Sequence, residues 1–225
     1  MAAQLTFDLP SIISHDGSDF FVSKSNKTAV HFIEDWERWP SKKFVLSGPR
    51  SSGKTHLAHI WAKMSGARII SAMDLSCPDE VSGTNLVVED VHKIAGIKEL
   101  EIALFHTHNL LHQNSSCLLM TGIGNANTWP IALPDLASRI EGTSQVLLDA
   151  PDDRLFAALL AKQFADRQLF PSPKVLNYLI ARLERSYEAT RRFVDRADKI
   201  SLAEGRPLTR AFAKNILSEF TTDFD

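Results

Sequence analysis

A chain of 225 residues, 44% hydrophobic and 23% charged, has the balance of an ordinary globular protein. Its length suits one large domain or one domain with a small companion. The net charge of -2 gives no electrostatic pull toward nucleic acid or an anionic membrane. No apolar run nears the roughly 20 residues that span a bilayer. Met1-Ala2-Ala3-Gln4 lacks the basic start and apolar core of a signal peptide, so a cytoplasmic protein is expected. Cys77 and Cys117 sit in no metal-like spacing and read as reduced packing residues.

The chain opens with Gln4-Leu5-Thr6-Phe7-Asp8-Leu9-Pro10, in which Leu5, Phe7 and Leu9 alternate and share one face of an extended segment. Such a segment can be a peptide ligand, an edge strand or disorder, and the pattern leaves these open. Pro10 and the polar run Ser14 to Ser18 are expected to break structure. Phe20-Phe21-Val22 can pack on a base or on the core. Ala29, Phe32, Ile33 and Trp36 predict a helix over 28–39, with Asn26 as its cap and Pro40 as its end.

Lys43 to Ser47 reads as a short buried strand. It leads into Gly48-Pro49-Arg50-Ser51-Ser52-Gly53-Lys54-Thr55, which fits G-x-x-x-x-G-K-[ST] without a gap. A helical pattern starts at His56. Strand, glycine-rich turn and helix are the context in which this motif cradles phosphate. Glycines let backbone N–H groups turn inward, Lys54 would reach the β- and γ-phosphates of ADP or ATP, and the Thr55 hydroxyl would take Mg²⁺. Residues 48–56 are thus the expected nucleotide contacts.

Arg68 to Ser71 reads as a second strand, and Leu86-Val87-Val88-Glu89-Asp90 as a third. Parallel strands buried on both faces are continuously apolar, and ligands gather beyond their carboxyl ends. Of the two acids, one can hold Mg²⁺ through water and the other can orient an attacking water. Residues 97–113 form a helical pattern carrying His106, His108 and His112, but no carboxylate or cysteine completes a metal set. Ser116 to Gly122 is a fourth strand, ending in Thr121, which can reach a γ-phosphate or simply finish the strand. A loop over 125–130, a short helix over 133–140 and a strand over 144–148 follow. The alternation predicts an α/β fold with a doubly wound parallel sheet. From Ala150-Pro151 onward no strand is visible. Four helical patterns centre on Phe156, Leu179, Phe193 and Phe212, with 13 basic residues against 11 acidic over 151–225.

An α/β nucleotide domain (19–150) with a small all-α lid (151–225) resembles the AAA+ architecture. Three stretches resemble the replication initiator DnaA and its shorter relative Hda: Asp19 to Asn26, Leu133-Pro134-Asp135-Leu136-Ala137-Ser138-Arg139, and Gly205-Arg206-Pro207-Leu208-Thr209. The resemblance implies that Val22 lies at the nucleotide edge and that Arg139 is an arginine finger reaching a neighbour's γ-phosphate. From the reading of the residues themselves, Asp90 and Thr121 are the expected contributors to hydrolysis, and Thr55 and Glu89 the expected metal ligands. The tail, residues 1–18, is similar to the Gln-Leu-x-Leu-x-Leu motif by which Hda binds the sliding clamp (the β subunit), so Gln4, Leu5, Phe7 and Leu9 are the expected contacts. The family implies a regulator that makes ATP-bound DnaA hydrolyse its ATP, with a homo-oligomer possible. An autonomous DnaA-like or helicase-loader-like ATPase is the alternative.

Two departures bear on its own hydrolysis. Glu89 stands where DnaA-like chains usually have Asp, and Glu188 aligns with the lid's sensor arginine, with Arg191 and Arg192 about one turn later. A resident ADP fits this pattern. The chain stops at Asp225, without the DNA-binding domain that DnaA carries after its lid, so no direct DNA contact is expected.

Overall fold

The computed structural model describes residues 12–15, 18–75 and 83–222, with side chains described over 21–75 and 83–219. Two compact units form: Ser25–Asp149, and Ala150 onward together with the described residues up to Lys24. The expected tail contacts Gln4, Leu5, Phe7 and Leu9 lie outside the described residues, as does Cys77.

The stretch expected to be broken at Ser14–Ser18 is instead an antiparallel hairpin, β1 (Ile12–His15) and β2 (Ser18–Phe21), pairing Ile12 with Phe21 and His15 with Ser18. Helix α1 (Lys27–Glu34) is shorter than the predicted 28–39. Two single 3₁₀ turns, Trp36–Arg38 and Pro40–Lys42, replace its second half. Asn26 takes the N-cap position without a side-chain cap bond. The helix stops early because its aromatic residues are needed elsewhere. Trp39 stacks on Trp61 and on Phe44, at 5.0 Å between ring centroids in both cases, and its Nε1 donates to the Phe32 carbonyl at 2.7 Å. Pro40 also pushes Trp39 to ψ 130, out of the helical region.

The α/β unit is built on β3 (Lys43–Gly48), β4 (Arg68–Ser71), β5 (Leu86–Glu89), β6 (Leu118–Ile123) and β7 (Gln145–Leu147). They form one parallel sheet in the order β4-β5-β6-β3-β7. Helices α2 (Lys54–Ser65), α3 (Lys98–Gln113) and α4 (Pro134–Glu141) accompany it. All six residues of β3 are buried, as a strand inside such a sheet requires. Val45, Val88, Leu104, Leu111, Leu118 and Met120 are among the core residues. Asn85 ties the unit together across the sheet: its Nδ2 donates to Ser65 O at 3.0 Å, and its Oδ1 accepts from Cys117 N at 2.8 Å.

The other unit holds α5 (Asp153–Asp166), α6 (Pro173–Ile180), α7 (Tyr187–Glu204) and α8 (Arg210–Thr222). Asp152 caps α5 by accepting from Leu155 N at 2.8 Å, and Ser186 caps α7 by accepting from Ala189 N at 3.0 Å. Gly205, at φ 60, ends α7 in the left-handed conformation that suits glycine. Phe156, Phe164, Leu179, Phe193 and Phe212 form its core. Phe21 packs on Leu155, Ala158 and Leu159, which is why the hairpin belongs to this unit. Among the described residues no helix is long and apolar enough to cross a membrane.

Candidate functional site

The phosphate-type loop leaves the carboxyl end of β3, which lies between β6 and β7. Its first glycine is sterically required. A Cβ on Gly48, at φ +152, would meet the Leu148 carbonyl oxygen at 2.6 Å. The Gly48 carbonyl also accepts from Gly124 N at 3.2 Å, and Leu148 N donates to Ser47 O at 2.7 Å, so the ends of three strand segments converge here. Ser51 and Gly53 take positive φ, 55° and 97°, which curls the loop onto itself. Gly53 is the N-cap of α2 and has no side chain to spend on the helix's first N–H groups.

Lys54 sits inside this curl, 8% exposed. Its Nζ donates to Gly48 O at 3.1 Å, Pro49 O at 2.5 Å and Ser52 Oγ at 3.3 Å. Burial lowers its pKa, and the Asp90 carboxylate works against that shift. An ammonium held by loop oxygens at the centre of a backbone cradle can exchange them for phosphate oxygens. Pro49, Arg50, Thr55 and His56 are exposed around it, and Ser51 and Ser52 are half-buried. Ser47 Oγ, just beneath, is buried without a hydrogen-bond partner.

The two acids after β5 part company. Glu89 Oε1 is buried with no hydrogen-bond partner. Asp90 turns into the left-handed region, φ 61, and its Oδ2 pairs with Lys93 Nζ at 2.6 Å. Its N–H donates to Thr121 Oγ1 at 3.3 Å, and Thr121 is buried at the end of β6. Glu89, Asp90, Thr121 and Lys54 are therefore brought to one end of the sheet. Acceptor oxygens without partners and a cradle that a Cβ would fill fit a nucleotide with its Mg²⁺. Val22 follows Phe21 in the other unit, and Glu188, Arg191 and Arg192 lie in the first turns of α7 there.

Several contributors near this end carry no motif. His92 Nδ1 accepts from Ile123 N at 3.2 Å. Burial lowers its pKa, with Asp90 opposing. The Trp129 ring lies over Gly122, where a Cβ would come within 2.2 Å of it, and its Nε1 donates to Ile123 O at 2.7 Å. The small residue at 122 was the one sequence signal for this contact.

Arg139 is placed by different means. Leu136 and Ile140 bury one side of α4, leaving Arg139 exposed. The helix's approach is fixed by Glu101 of α3, 1% exposed. Glu101 Oε1 accepts from Gly96 N at 2.7 Å and Ala132 N at 2.9 Å, and Oε2 accepts from Leu133 N at 2.7 Å. A carboxylate there also suits the positive end of α4. Among the described residues Arg139 forms no ion pair, with Asp135 or any other acid. Its side chain borders a cavity of about 230 Å³ that Lys43 also lines. Lys43 opens β3 and Gly48 closes it, roughly 16 Å apart at about 3.3 Å per residue. Among the described residues, no three His, Cys, Asp or Glu side chains come together as a metal site would need.

Comparisons with known proteins follow the two units. Residues 152–217 match the family described as Hda, lid domain. Over 190 residues the chain is 27% identical to an uncharacterized protein of Haemophilus influenzae, covering 78% of this chain and 81% of that one. In structure it is similar to domain III of the Thermotoga maritima replication initiation protein DnaA, with TM-score 0.80 and 17% identity over 89% of this chain and 94% of that one. It is also similar to AMPPCP-bound DnaA from Aquifex aeolicus, with TM-score 0.67 and 19% identity over 83% of this chain and 65% of that one. The five-stranded parallel sheet with its helical lid is an AAA+ fold.

Proposed function

We propose that this Hda/DnaA-like AAA+ protein binds ADP or ATP in its phosphate loop and uses Arg139 to stimulate ATP hydrolysis on a DnaA-type neighbour, restraining re-initiation of replication. The observation that carries the reading is the position of Arg139. It is exposed, unpaired with any acid among the described residues, and shares a cavity with the residue that opens β3, while the phosphate loop leaves the other end of that strand. An arginine so placed serves a phosphate on another chain. A guanidinium brought to a transferring phosphoryl group is worth ~10³–10⁵ in rate.

The chain's own residues divide the remaining work. Gly48 to Gly53 curl the backbone, Lys54 offers its ammonium to the β- and γ-phosphates, and Thr55 and Glu89 offer oxygens to Mg²⁺. The bound nucleotide with its metal supplies a compact charge around which the loop is organised. Asp90 and Thr121 stand where an attacking water would be oriented, but the Asp90 carboxylate is engaged by Lys93. That engagement supports weak hydrolysis by this chain itself and a resident ADP. Gln4, Leu5, Phe7 and Leu9 would tether the protein to the sliding clamp in the cytoplasm, as their resemblance to a clamp-binding peptide suggests.

The test mixes the protein with clamp, DNA and ATP-loaded DnaA and follows hydrolysis of the DnaA-bound ATP. Stimulation by the intact chain, lost in Arg139→Ala and on deletion of residues 4–9, is expected. No stimulation by the intact chain with clamp binding retained would sink the reading. A second reading, an autonomous ATPase, draws on the meeting of Asp90, Thr121 and Lys54 at one sheet end. Turnover by the purified protein alone that collapses in Lys54→Ala would favour it.

A further inference from the structure

The cavity beside Arg139 has a composition that the phosphate loop does not explain. It measures about 230 Å³ and is lined by Lys43, His108, His112, Ser138, Arg139 and Thr143, with further contributions from small neutral residues. No carboxylate lines it. Four of the six named side chains are basic, and they come from three different elements: β3, α3 and α4.

Two of the four basic side chains are almost wholly buried. Lys43 is 1% exposed. Its Nζ donates to the Ser116 carbonyl at 3.0 Å and forms no ion pair among the described residues. An ammonium has three donors, and burying it with one neutral acceptor leaves the charge uncompensated. Cys117 and Lys42 are its nearest titratable neighbours, and His108, His112 and Arg139 share its cavity. Burial raises the Cys117 pKa, so that thiol is protonated at neutral pH and provides no counter-charge. His108 is 6% exposed; its side chain is hydrogen-bonded with Asn109, while its Nδ1 is buried without a partner among the described residues. Buried polar atoms are rarely left unpaired, so the partner of this one is to be sought outside the chain.

We propose that this cavity is a second anion site, built for a phosphate-type oxyanion held by Lys43, His108, His112 and Arg139, with Ser138 offering a hydroxyl. Donors converge from several elements, which suits an ion with three or four acceptor oxygens better than a carboxylate with two. The site is separate from the phosphate loop, because Lys43 and Gly48 stand at opposite ends of β3. It does not depend on the role proposed for Arg139 toward a neighbour.

The test uses the full chain labelled with ¹⁵N-histidine and titrates it with inorganic phosphate, with phenyl phosphate as a monoester, and with acetate at matched ionic strength. His108 and His112 report on this cavity, and His92 reports on the phosphate loop in the same spectrum. Saturable shifts of His108 and His112 with either phosphate are expected, and tighter binding of phenyl phosphate would assign the ligand to the esters. Lys43→Met and Arg139→Gln should each weaken the effect by about tenfold or more, the worth of one charge-assisted hydrogen bond. Lys54→Ala should leave it in place while abolishing the response at His92. Absence of saturation at His108 and His112, equal response to acetate, or an unchanged titration in both cavity variants would overturn the site. Arg139 is exposed, so its variant keeps the test available if Lys43→Met does not fold.

Discussion

Strand β3 carries a buried lysine near each end of its course, and the two are treated differently. Lys54, past the carboxyl end, is surrounded by oxygens of its own loop and sits in the field of Asp90. Lys43, at the amino end, has one carbonyl and shares its cavity with the positive Arg139 and a neutral His108. Burial lowers the pKa of both. The first lysine is stored in a cradle ready to release it to a ligand. The second is left charged, dry and waiting for one. Burial alone therefore does not define a binding lysine; the partners it is given do.

The largest expected effect separates the two ends by ligand. Lys54→Ala should cut ADP or ATP affinity by about two orders of magnitude, as loss of a few charge-assisted hydrogen bonds implies. Lys43→Met should leave it within about threefold, since that side chain touches none of the loop. Isothermal titration of both variants decides the matter, and equal losses would dissolve the distinction. Next comes packing at the carboxyl end. Gly122→Ala drives a methyl into the Trp129 ring and should destabilise the α/β unit by roughly 1–3 kcal/mol, read from the urea midpoint.

Effects of comparable size appear in the pH dependence of stability, and they belong to the amino end. The folded chain holds Lys43 at a pKa of about 8 against the ordinary 10.5, because burial favours the neutral amine. Below pH 8 both states carry the proton and the penalty stands in full. Between pH 8 and 10.5 the folded chain releases its proton first, so stability should rise with pH. Burial and the positive Lys43 and Arg139 likewise hold His108 at about 4 against 6.5. Stability should therefore fall as pH drops from 6.5 toward 4, where the unfolded chain takes the proton first. Urea midpoints across pH should lose the alkaline rise in Lys43→Met and the acid fall in His108→Phe. The smallest effect is that of Arg139→Ala on stability, within about 0.5 kcal/mol, as for an exposed side chain without an ion pair. A larger loss would make Arg139 a structural residue.

Much of the carboxyl end was legible in the residues. The apolar runs at Val45, Val88 and Met120 announce buried parallel strands, because such strands need no polar face. The motif from Gly48 to Thr55 announces the loop, because its glycines and lysine are consecutive in the chain. The amino end was not legible. Lys43 reads as a polar start to a strand, and His108 as one of three histidines on a helix. Their meeting depends on β3, α3 and α4 packing together, which no local pattern encodes. Glu101 was hidden for the same reason: its three N–H partners are 5, 31 and 32 residues away. The shortened α1 shows the opposite failure. There the local pattern was helical, and aromatic stacking with Trp61 overrode it.

The distribution of aromatic residues makes the two units spectroscopically separable. All four tryptophans, Trp36, Trp39, Trp61 and Trp129, lie within Ser25–Asp149. Both tyrosines, Tyr178 and Tyr187, lie in the helical unit. Trp39 and Trp61 are stacked at 5.0 Å with Trp36 edge-on to Trp61 at 6.2 Å, close enough to couple excitations, whereas Trp129 stands apart, 6.5 Å from the His92 ring. Tryptophan emission thus follows the sheet and its phosphate loop, while tyrosine absorbance follows the lid, so an optical melt of the unlabelled chain reports the two units as two separate colours.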